Sequence, residues 1–333
     1  MILHPAVIAL LLSSFIISCM MLYSTYFGLQ IVRKWDIKSG SEVQLNLERR
    51  TYLVSTLVQY ALLFEVISIF LFIYTAEDIH TLLVGAMCAT GSLNANPFGF
   101  PALYAKIAVF FAAASWIAVN HIDNKAEDYP LIKWKYRLLI AVLVLLITEF
   151  ILQFQYFLKI NPNVITSCCG VMFGEKSKGI ASSLAAFPPL PAKILFYSLF
   201  AVTIAIGIAS YKHQRKPFTC LLSIFTFMFF IFSVVAIISF VSLYFYQLPT
   251  HHCPFCILQK EYYYIGYPLY AFLFAGTFLG IMVGAVERFK KIHSMNRIIP
   301  YAQQRWTLYS IIFLTIFMII ASAPIILLPF RLY

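Results

Sequence analysis

Charged residues are scarce in this chain. Asp, Glu, Lys and Arg together make up 11% of its 333 residues, whereas a soluble domain carries about 25%. Hydrophobic residues reach 62%, and the mean hydropathy is +0.85. This shortage of charge excludes a water-soluble globule, a disordered chain and a nucleic-acid-binding domain. The formal charge of +11 belongs to loops between apolar segments, so we expect no nucleic acid as a partner.

The motifs of common soluble enzymes are also missing. The sequence has no Gly-rich phosphate loop, no Ser/His/Asp arrangement and no HExxH motif. The N-terminus lacks the basic region and the small-residue cleavage site of a signal peptide, so we expect the first apolar run to be retained.

Long apolar runs, in contrast, are abundant. Runs of about 20 apolar residues are long enough to cross a bilayer as helices. The sequence therefore predicts an all-α polytopic transmembrane bundle, forming one integral membrane domain over residues 1–333, with membrane lipid around it. Eight predicted spans lie near residues 5–32, 52–74, 102–120, 137–158, 193–211, 218–246, 263–286 and 307–329.

The basic residues divide unequally between the two sets of loops. Of the 24 basic residues, 17 fall in the loops after odd-numbered spans. The other seven are Lys106, Lys159, Lys176, Lys178, Lys193, Lys260 and Arg331. The positive-inside rule places the richer set in the cytoplasm. We therefore expect both termini on the outer side of a bacterial inner membrane, facing the periplasm.

Five of the seven cysteines fall in the predicted outer loops or at outer helix ends. They are Cys88, Cys168, Cys169, Cys253 and Cys256. The outer face of a bacterial membrane is oxidising, and thiols there form disulfides or bind metals. The placement of the cysteines is the strongest functional signal in the sequence.

One segment carries two histidines and a Cys-x-x-Cys pair, from His251 and His252 to Cys253 and Cys256. We expect it to stand just outside the seventh helix, at a helix start whose N-terminus would stabilise a thiolate and lower its pKa. The adjacent imidazoles would accept or relay its proton. The spacing suits an exchangeable disulfide, and with His252 it also suits a soft or borderline metal ion.

With Lys260 four positions after Cys256, this segment resembles the DsbB-type and vitamin K epoxide reductase-type membrane thiol oxidoreductases. Those families pass electrons between a partner's dithiol and a quinone beside the Cys-x-x-Cys helix. The resemblance implies that Cys253 and Cys256 form the quinone-proximal pair. It also implies that Lys260, with Glu261 beside it, binds the quinone.

The remaining outer cysteines offer several pairings. Adjacent Cys168 and Cys169 would form a strained, easily reduced disulfide, supply thiolates to a metal, or pair one sulfur with Cys88. Cys88 precedes a segment rich in Gly, Asn and Pro, which predicts an ordered turn-rich loop rather than a helix. Cys88 is the candidate third thiol of the site.

Two acidic residues fall inside predicted spans. Glu65 and Glu149 both lie about 18–20 Å from the cytoplasmic ends of their helices, at 1.5 Å per residue. Ionisable groups at such depth face a cavity, a partner or a proton path. Two interpretations stay open, namely proton transfer toward the cysteine-bearing face and hydrogen bonding that holds helices together.

The leading hypothesis is a membrane thiol–disulfide oxidoreductase acting on the outer face. Cys253 would be the exposed attacking thiol, Cys256 its resolving partner, and a membrane quinone the electron acceptor. His251 or His252 would move the proton. An outer-face thiol protein would exchange electrons through the other thiols, which are Cys88, Cys168 and Cys169.

Two alternatives belong to other functional classes. In the first, the protein binds, transfers or assembles copper, zinc or an iron–sulfur centre through Cys253, Cys256, Cys168, Cys169 and His252. In the second, it is a non-catalytic membrane subunit or a transporter whose path runs along Glu65 and Glu149.

Overall fold

The computed structural model describes residues 3–37, 39–162 and 187–330. The structure is 82% helical, and the described residues contain no strand. Among the described residues, eight helical segments are long and apolar enough to cross a membrane. The predicted all-α bundle with eight spans is thus confirmed, and the chain is an integral, multi-pass membrane protein.

The helices follow the predicted order with shifted ends. Helix α2 begins at Glu42 rather than near residue 52, because residues 42–51 include good helix formers that extend the helix beyond its apolar run. The helices are α1 (Pro5–Lys34), α2 (Glu42–Ile79), α3 (Ala89–Leu93), α4 (Gly99–Asp123), α5 (Ile132–Leu158), α6 (Pro189–His213), α7 (Lys216–Ala236), α8 (Ser242–Tyr246), α9 (Gly266–Ala285) and α10 (Ile298–Leu327).

The described chain divides into two compact units. The first unit lies within Met1–Thr75, Leu93–Pro162 and Lys291–Ile298, and the second within Ala76–Ser92, Asn163–Lys290 and Ile299–Tyr333. The first unit holds α1, α4, α5 and α2 as far as Thr75. The second holds the end of α2, most of α3, and α6 to α10. That the chain forms one domain stays a prediction.

In the first unit, a buried ion pair joins the end of α4 to the start of α5. Lys135 Nζ lies 2.9 Å from Asp123 Oδ2 and donates a hydrogen bond to Asn120 Oδ1 at 3.0 Å. The other carboxylate oxygen of Asp123 accepts the Leu131 N–H at 2.8 Å. Because both charged groups are fully buried and hydrogen-bonded, the pair fixes the geometry of this turn.

In the second unit, three glycines spaced four residues apart line one side of α9. A Cβ atom on Gly276 would lie 2.9 Å from the Leu314 side chain of α10, and one on Gly284 would lie 2.5 Å from Ser223 Cβ of α7. Small residues at this spacing let membrane helices approach closely. The α9 backbone therefore packs directly against both neighbouring helices.

We expect a Gly280→Val substitution to destabilise the second unit by about 1–3 kcal/mol, because a Cβ there would meet Thr226 at 2.7 Å and Ser310 at 2.9 Å. Thermal unfolding in detergent measures the effect. Gly40→Ala is the control, since a Cβ at Gly40 meets nothing within 4 Å. Equal unfolding temperatures for both variants would contradict the close packing of α9.

Large apolar side chains lie exposed along the spans. Examples are Leu12, Phe15, Ile67, Val144 and Ile319, each about half exposed or more. So much exposed apolar surface is unfavourable in water and favourable against acyl chains. The outer surface of the helices is therefore consistent with contact with membrane lipid.

Candidate functional site

The second unit brings together three cysteines that are far apart in sequence. The sulfur atoms of Cys88, Cys253 and Cys256 all lie within 4.8 Å of one another. Cys88 Sγ and Cys253 Sγ are 3.5 Å apart although 165 residues separate them. Cys88 lies between the second and third spans and the Cys-x-x-Cys pair between the sixth and seventh, so both segments belong on the same membrane face.

The carboxylate of Glu77, near the C-terminal end of α2, positions the segment that contains Cys88. Glu77 Oε2 accepts the Ala89 N–H at 2.6 Å, and Oε1 accepts Gln259 Nε2 at 2.7 Å. Gln259 Nε2 also donates to the Met87 carbonyl at 2.8 Å. One carboxylate and one amide thus tie the Cys88 segment to the chain just after Cys256.

The same contact explains why the predicted loop after Cys88 begins with a helix. Residues 89–93 form the short helix α3, whereas residues 94–98 are turns as predicted, and the Cys88 carbonyl accepts the Gly91 N–H at 2.9 Å. The Glu77 carboxylate satisfies the first helical N–H group, which water would otherwise have to do. A cap that lies 12 residues away in sequence is not visible in local turn propensity.

Two tyrosines, buried Tyr246 and partly buried Tyr270, hold the Cys-x-x-Cys segment. The Tyr246 hydroxyl donates to the Cys253 carbonyl at 2.6 Å and accepts the Ile257 N–H at 2.9 Å. The Tyr270 hydroxyl donates to the Pro254 carbonyl at 2.6 Å. Three hydrogen bonds to backbone atoms therefore fix this short segment and the direction of its sulfurs.

The prediction that the Cys-x-x-Cys pair lies at the start of a long helix is wrong. Cys256 starts a single 3₁₀ turn, and α9 begins only at Gly266. Between them Tyr263 and Tyr264 have left-handed φ values of 53° and 55°, which interrupt any helix. The partial charge of a long helix N-terminus therefore does not act on these sulfurs.

The expected exposure of Cys253 is also wrong. Cys253 and Cys88 are 0% exposed and Cys256 is 4% exposed. Thr90 Oγ1 lies 3.1 Å from Cys253 Sγ, next to the Cys88 sulfur. The neighbouring chain segments cover the sulfur, so a protein thiol has no direct access to it in this conformation.

The two histidines have different surroundings. His251 Nε2 lies 3.3 Å from Cys256 Sγ, at the edge of the sulfur cluster. His252 Nδ1 donates to the Ile238 carbonyl at 2.9 Å, inside the π-helix Ile237–Val241 that follows α7. This bond places the proton of a neutral His252 on Nδ1 and leaves the lone pair on Nε2.

Lys260 and Glu261 lie exposed in the 3₁₀ turn Lys260–Tyr262. Burial raises the pKa of the neighbouring Tyr262, and the charges of Cys256 and Glu261 raise it further. Tyr262 is therefore a neutral hydrogen-bond donor near pH 7. The quinone-binding roles of Lys260 and Glu261 stay predictions.

Cys168 and Cys169 lie outside the described residues. Their pairing with each other, with Cys88 or with a metal stays a prediction.

Glu65 and Glu149 both contact Lys106 in the first unit, a lysine that was counted with the basic residues of the outer side. Lys106 Nζ lies 3.2 Å from Glu65 Oε2 and 3.0 Å from Glu149 Oε1, and all three side chains are at most 1% exposed. Counting Lys106 with the outer side is wrong, because it lies two turns inside α4 and is buried between acidic side chains. Lys106 therefore gives no evidence on orientation.

Sequence reasoning missed Glu77, Thr90, Gln259 and Lys106. A signal existed for Lys106, since a charge two turns into an apolar helix needs a buried partner. Thr90 follows Cys88 by two residues, but nothing in the sequence joins it to Cys253. Glu77 and Gln259 act through backbone and amide contacts that only the folded chain creates.

No protein-family model, no curated protein and no solved structure matches this chain.

Proposed function

We propose that the second unit binds one soft or borderline metal ion, zinc or copper(I), through Cys88, Cys253 and Cys256. The observation that carries this proposal is the mutual approach of three buried sulfurs within 4.8 Å. Two sulfurs on one tetrahedral zinc ion lie about 3.8 Å apart, given a Zn–S distance of about 2.3 Å. The Cys88–Cys253 separation of 3.5 Å is close to that value, whereas a disulfide needs about 2.05 Å.

The chemistry of the surroundings favours the same class of ion. Thiolates select zinc and copper(I), whereas magnesium and calcium require several oxygen ligands. The Glu77 carboxylate, which orients the Cys88 segment, already accepts two hydrogen bonds. His251 is the proposed fourth ligand, because its Nε2 lies 3.3 Å from Cys256 Sγ. A bound cation would also offset the unfavourable burial of several thiolates.

Thiol–disulfide exchange is the second candidate, and the Cys88–Cys253 distance favours it. The sulfurs need to approach by about 1.5 Å to form a bond. Two thiols would then lose two electrons and two protons, and a quinone accepting both would become a quinol. Because the described sulfurs are buried, an outer-face thiol protein would exchange electrons with this pair through Cys168 and Cys169. Burial of all three described sulfurs ranks this candidate below metal binding.

The proposal includes an orientation. The cluster would face the periplasm of a bacterial inner membrane, with both termini on that side. The support is the 17 of 24 basic residues that follow odd-numbered spans. Cys19 is exposed but lies in the middle of α1, so labelling it would not report a membrane face. Labelling of a cysteine introduced at exposed Lys260 in intact cells would test the orientation.

Metal content of the purified protein tests the function. We expect about one zinc or copper ion per chain, and a cobalt(II)-substituted protein with sulfur-to-cobalt charge-transfer absorption. The Cys253→Ser variant should bind the ion more weakly and show weaker charge-transfer absorption, whereas Cys220→Ser, outside the cluster, should match the wild type in both. Thiol blocking at isolation followed by mass spectrometry distinguishes the candidates. A Cys88–Cys253 disulfide without metal would overturn metal binding and support thiol exchange.

We expect a Glu77→Ala substitution to weaken metal binding about 10–100-fold, because it removes the group that orients the Cys88 segment without removing a ligand. Competition with a chelator of known affinity measures the change. Asp78→Ala is the matched control, since Asp78 is the adjacent, exposed acidic residue. Unchanged affinity in Glu77→Ala would show that the cluster does not depend on this support.

A further inference from the structure

The first unit contains a buried charge cluster that the metal site does not use. Lys106 Nζ contacts one oxygen each of Glu65 and Glu149 and donates to Ser68 Oγ at 2.9 Å. Ser14 Oγ of α1 donates to Glu149 Oε2 at 3.3 Å. Residues from α1, α2, α4 and α5 thus converge on three ionisable groups.

Counting charges shows that these groups do not balance. Two carboxylates face a single ammonium group, and all three side chains are at most 1% exposed. A net negative charge in this environment is strongly unfavourable, and a buried carboxyl group takes up a proton instead. The other facing groups are the hydroxyls of Ser14 and Ser68, which do not titrate and carry no compensating charge.

Several buried polar atoms around the cluster also lack hydrogen-bond partners among the described residues. Among the described residues, Glu65 Oε1 has no hydrogen-bond partner, and neither does either amide atom of fully buried Gln153. Gln153 lies one turn after Glu149 on α5. Buried polar groups without partners mark places where water or another small species binds.

Another buried polar atom without a hydrogen-bond partner among the described residues lies on the opposite side of the cluster. Ser18 Oγ is buried without a partner in the described chain, one turn after Ser14 on α1. Helices α1 and α5 are the first and fourth spans, so they run in opposite directions across the bilayer. Gln153 and Ser18 therefore flank the cluster from its two membrane sides.

We propose that Glu65 and Glu149 share one exchangeable proton, so that the first unit contains a proton-binding site within the membrane. Lys106 balances the charge of whichever carboxylate is ionised. The proton binds a carboxylate oxygen, and its exchange with solvent runs through water held by Gln153 or Ser18. The proposal does not depend on metal binding, because every residue it uses lies in the first unit.

Infrared spectroscopy of the membrane-reconstituted protein tests this directly. Near pH 7 we expect one protonated carboxyl group per chain, seen as its carbonyl stretch, which shifts to lower frequency after transfer into D₂O. Glu65→Gln and Glu149→Gln should each abolish this signal, because the remaining carboxylate then matches Lys106 one to one. Lys106→Gln should double the signal, because both carboxyl groups are then protonated.

The matched control is Glu287→Gln, which removes a similarly buried carboxylate in the second unit and should leave the signal unchanged. Loss of the signal in this control would assign the proton elsewhere and overturn the proposal. Absence of any protonated carboxyl in the wild type would overturn the charge count. A carbonyl signal that does not shift in D₂O would also overturn the proposal, because the proton would then not exchange with solvent.

Discussion

We expect the Cys88→Ser substitution to lower the affinity for zinc by on the order of 100-fold. Structural zinc sites contribute about 10–16 kcal/mol of binding free energy, which is roughly 3 kcal/mol for each of four ligands. A loss of this size corresponds to about two powers of ten in the dissociation constant. The effect is informative because Cys88 is 165 residues from Cys253 and shares no motif with it.

Chelator competition with purified wild-type and variant protein measures this change. Cys19→Ser and Cys220→Ser are the controls, since neither residue belongs to the cluster. His251→Ala should weaken binding less than Cys88→Ser, because His251 contacts only the Cys256 side of the cluster. If Cys88→Ser bound zinc as tightly as the controls, the metal site would consist of the Cys-x-x-Cys segment alone.

The second large effect is expected from Lys106→Met, which should destabilise the protein by about 3–5 kcal/mol. Removing one partner of a buried ion pair leaves the opposite charge without compensation. Here Glu65 and Glu149 would lose the ammonium group that both contact, so the one ionised carboxylate must take up a proton near pH 7, at a cost in free energy, or stay buried without a counter-charge. Thermal or denaturant unfolding in detergent measures the change in the free energy of unfolding.

Two further variants identify the cause. Adding Glu65→Gln and Glu149→Gln to Lys106→Met should restore much of the lost stability, since no charged group is then left buried without a partner. Lys133→Met, at an exposed position on α5, should change stability by less than about 0.5 kcal/mol. A Lys106→Met effect as small as that of Lys133→Met would mean that the cluster is not ionised.

The eight spans were predictable because a bilayer imposes a length and an apolar composition on each one. The sequence also indicated that Cys88 and the Cys253–Cys256 segment share a membrane face, since both follow even-numbered spans. It did not indicate that their sulfurs lie within 4.8 Å. That proximity depends on Glu77 and Gln259, which act on distant backbone and side-chain atoms.

The local structure around the thiols was the least predictable feature. A Cys-x-x-Cys pair before an apolar run suggests a helix start, but left-handed Tyr263 and Tyr264 separate Cys256 from α9. Likewise, a Gly- and Asn-rich segment suggests a loop after Cys88, but a distant carboxylate stabilises α3. Tertiary contacts override local propensity in both places.

The number of residues from the cytoplasmic end of each span predicted that Glu65 and Glu149 lie at the same depth in the membrane. Both indeed contact the same lysine nitrogen. Their partner Lys106 falls inside the predicted third span, 102–120, but was counted with the basic residues of the outer side. A positive charge inside an apolar span needs a buried counter-charge, but nothing in the sequence identified Glu65 and Glu149 as its partners.

X-ray absorption spectroscopy at the zinc or copper edge of the metal-loaded protein tests the central claim most directly. The account predicts three sulfur ligands at about 2.3 Å and one nitrogen at about 2.0–2.1 Å for zinc. Cys88→Ser should reduce the sulfur count from three to two while Cys220→Ser leaves it at three. A first coordination shell made of oxygen and nitrogen, or a sulfur count unaffected by Cys88→Ser, would contradict a metal site built from these three cysteines.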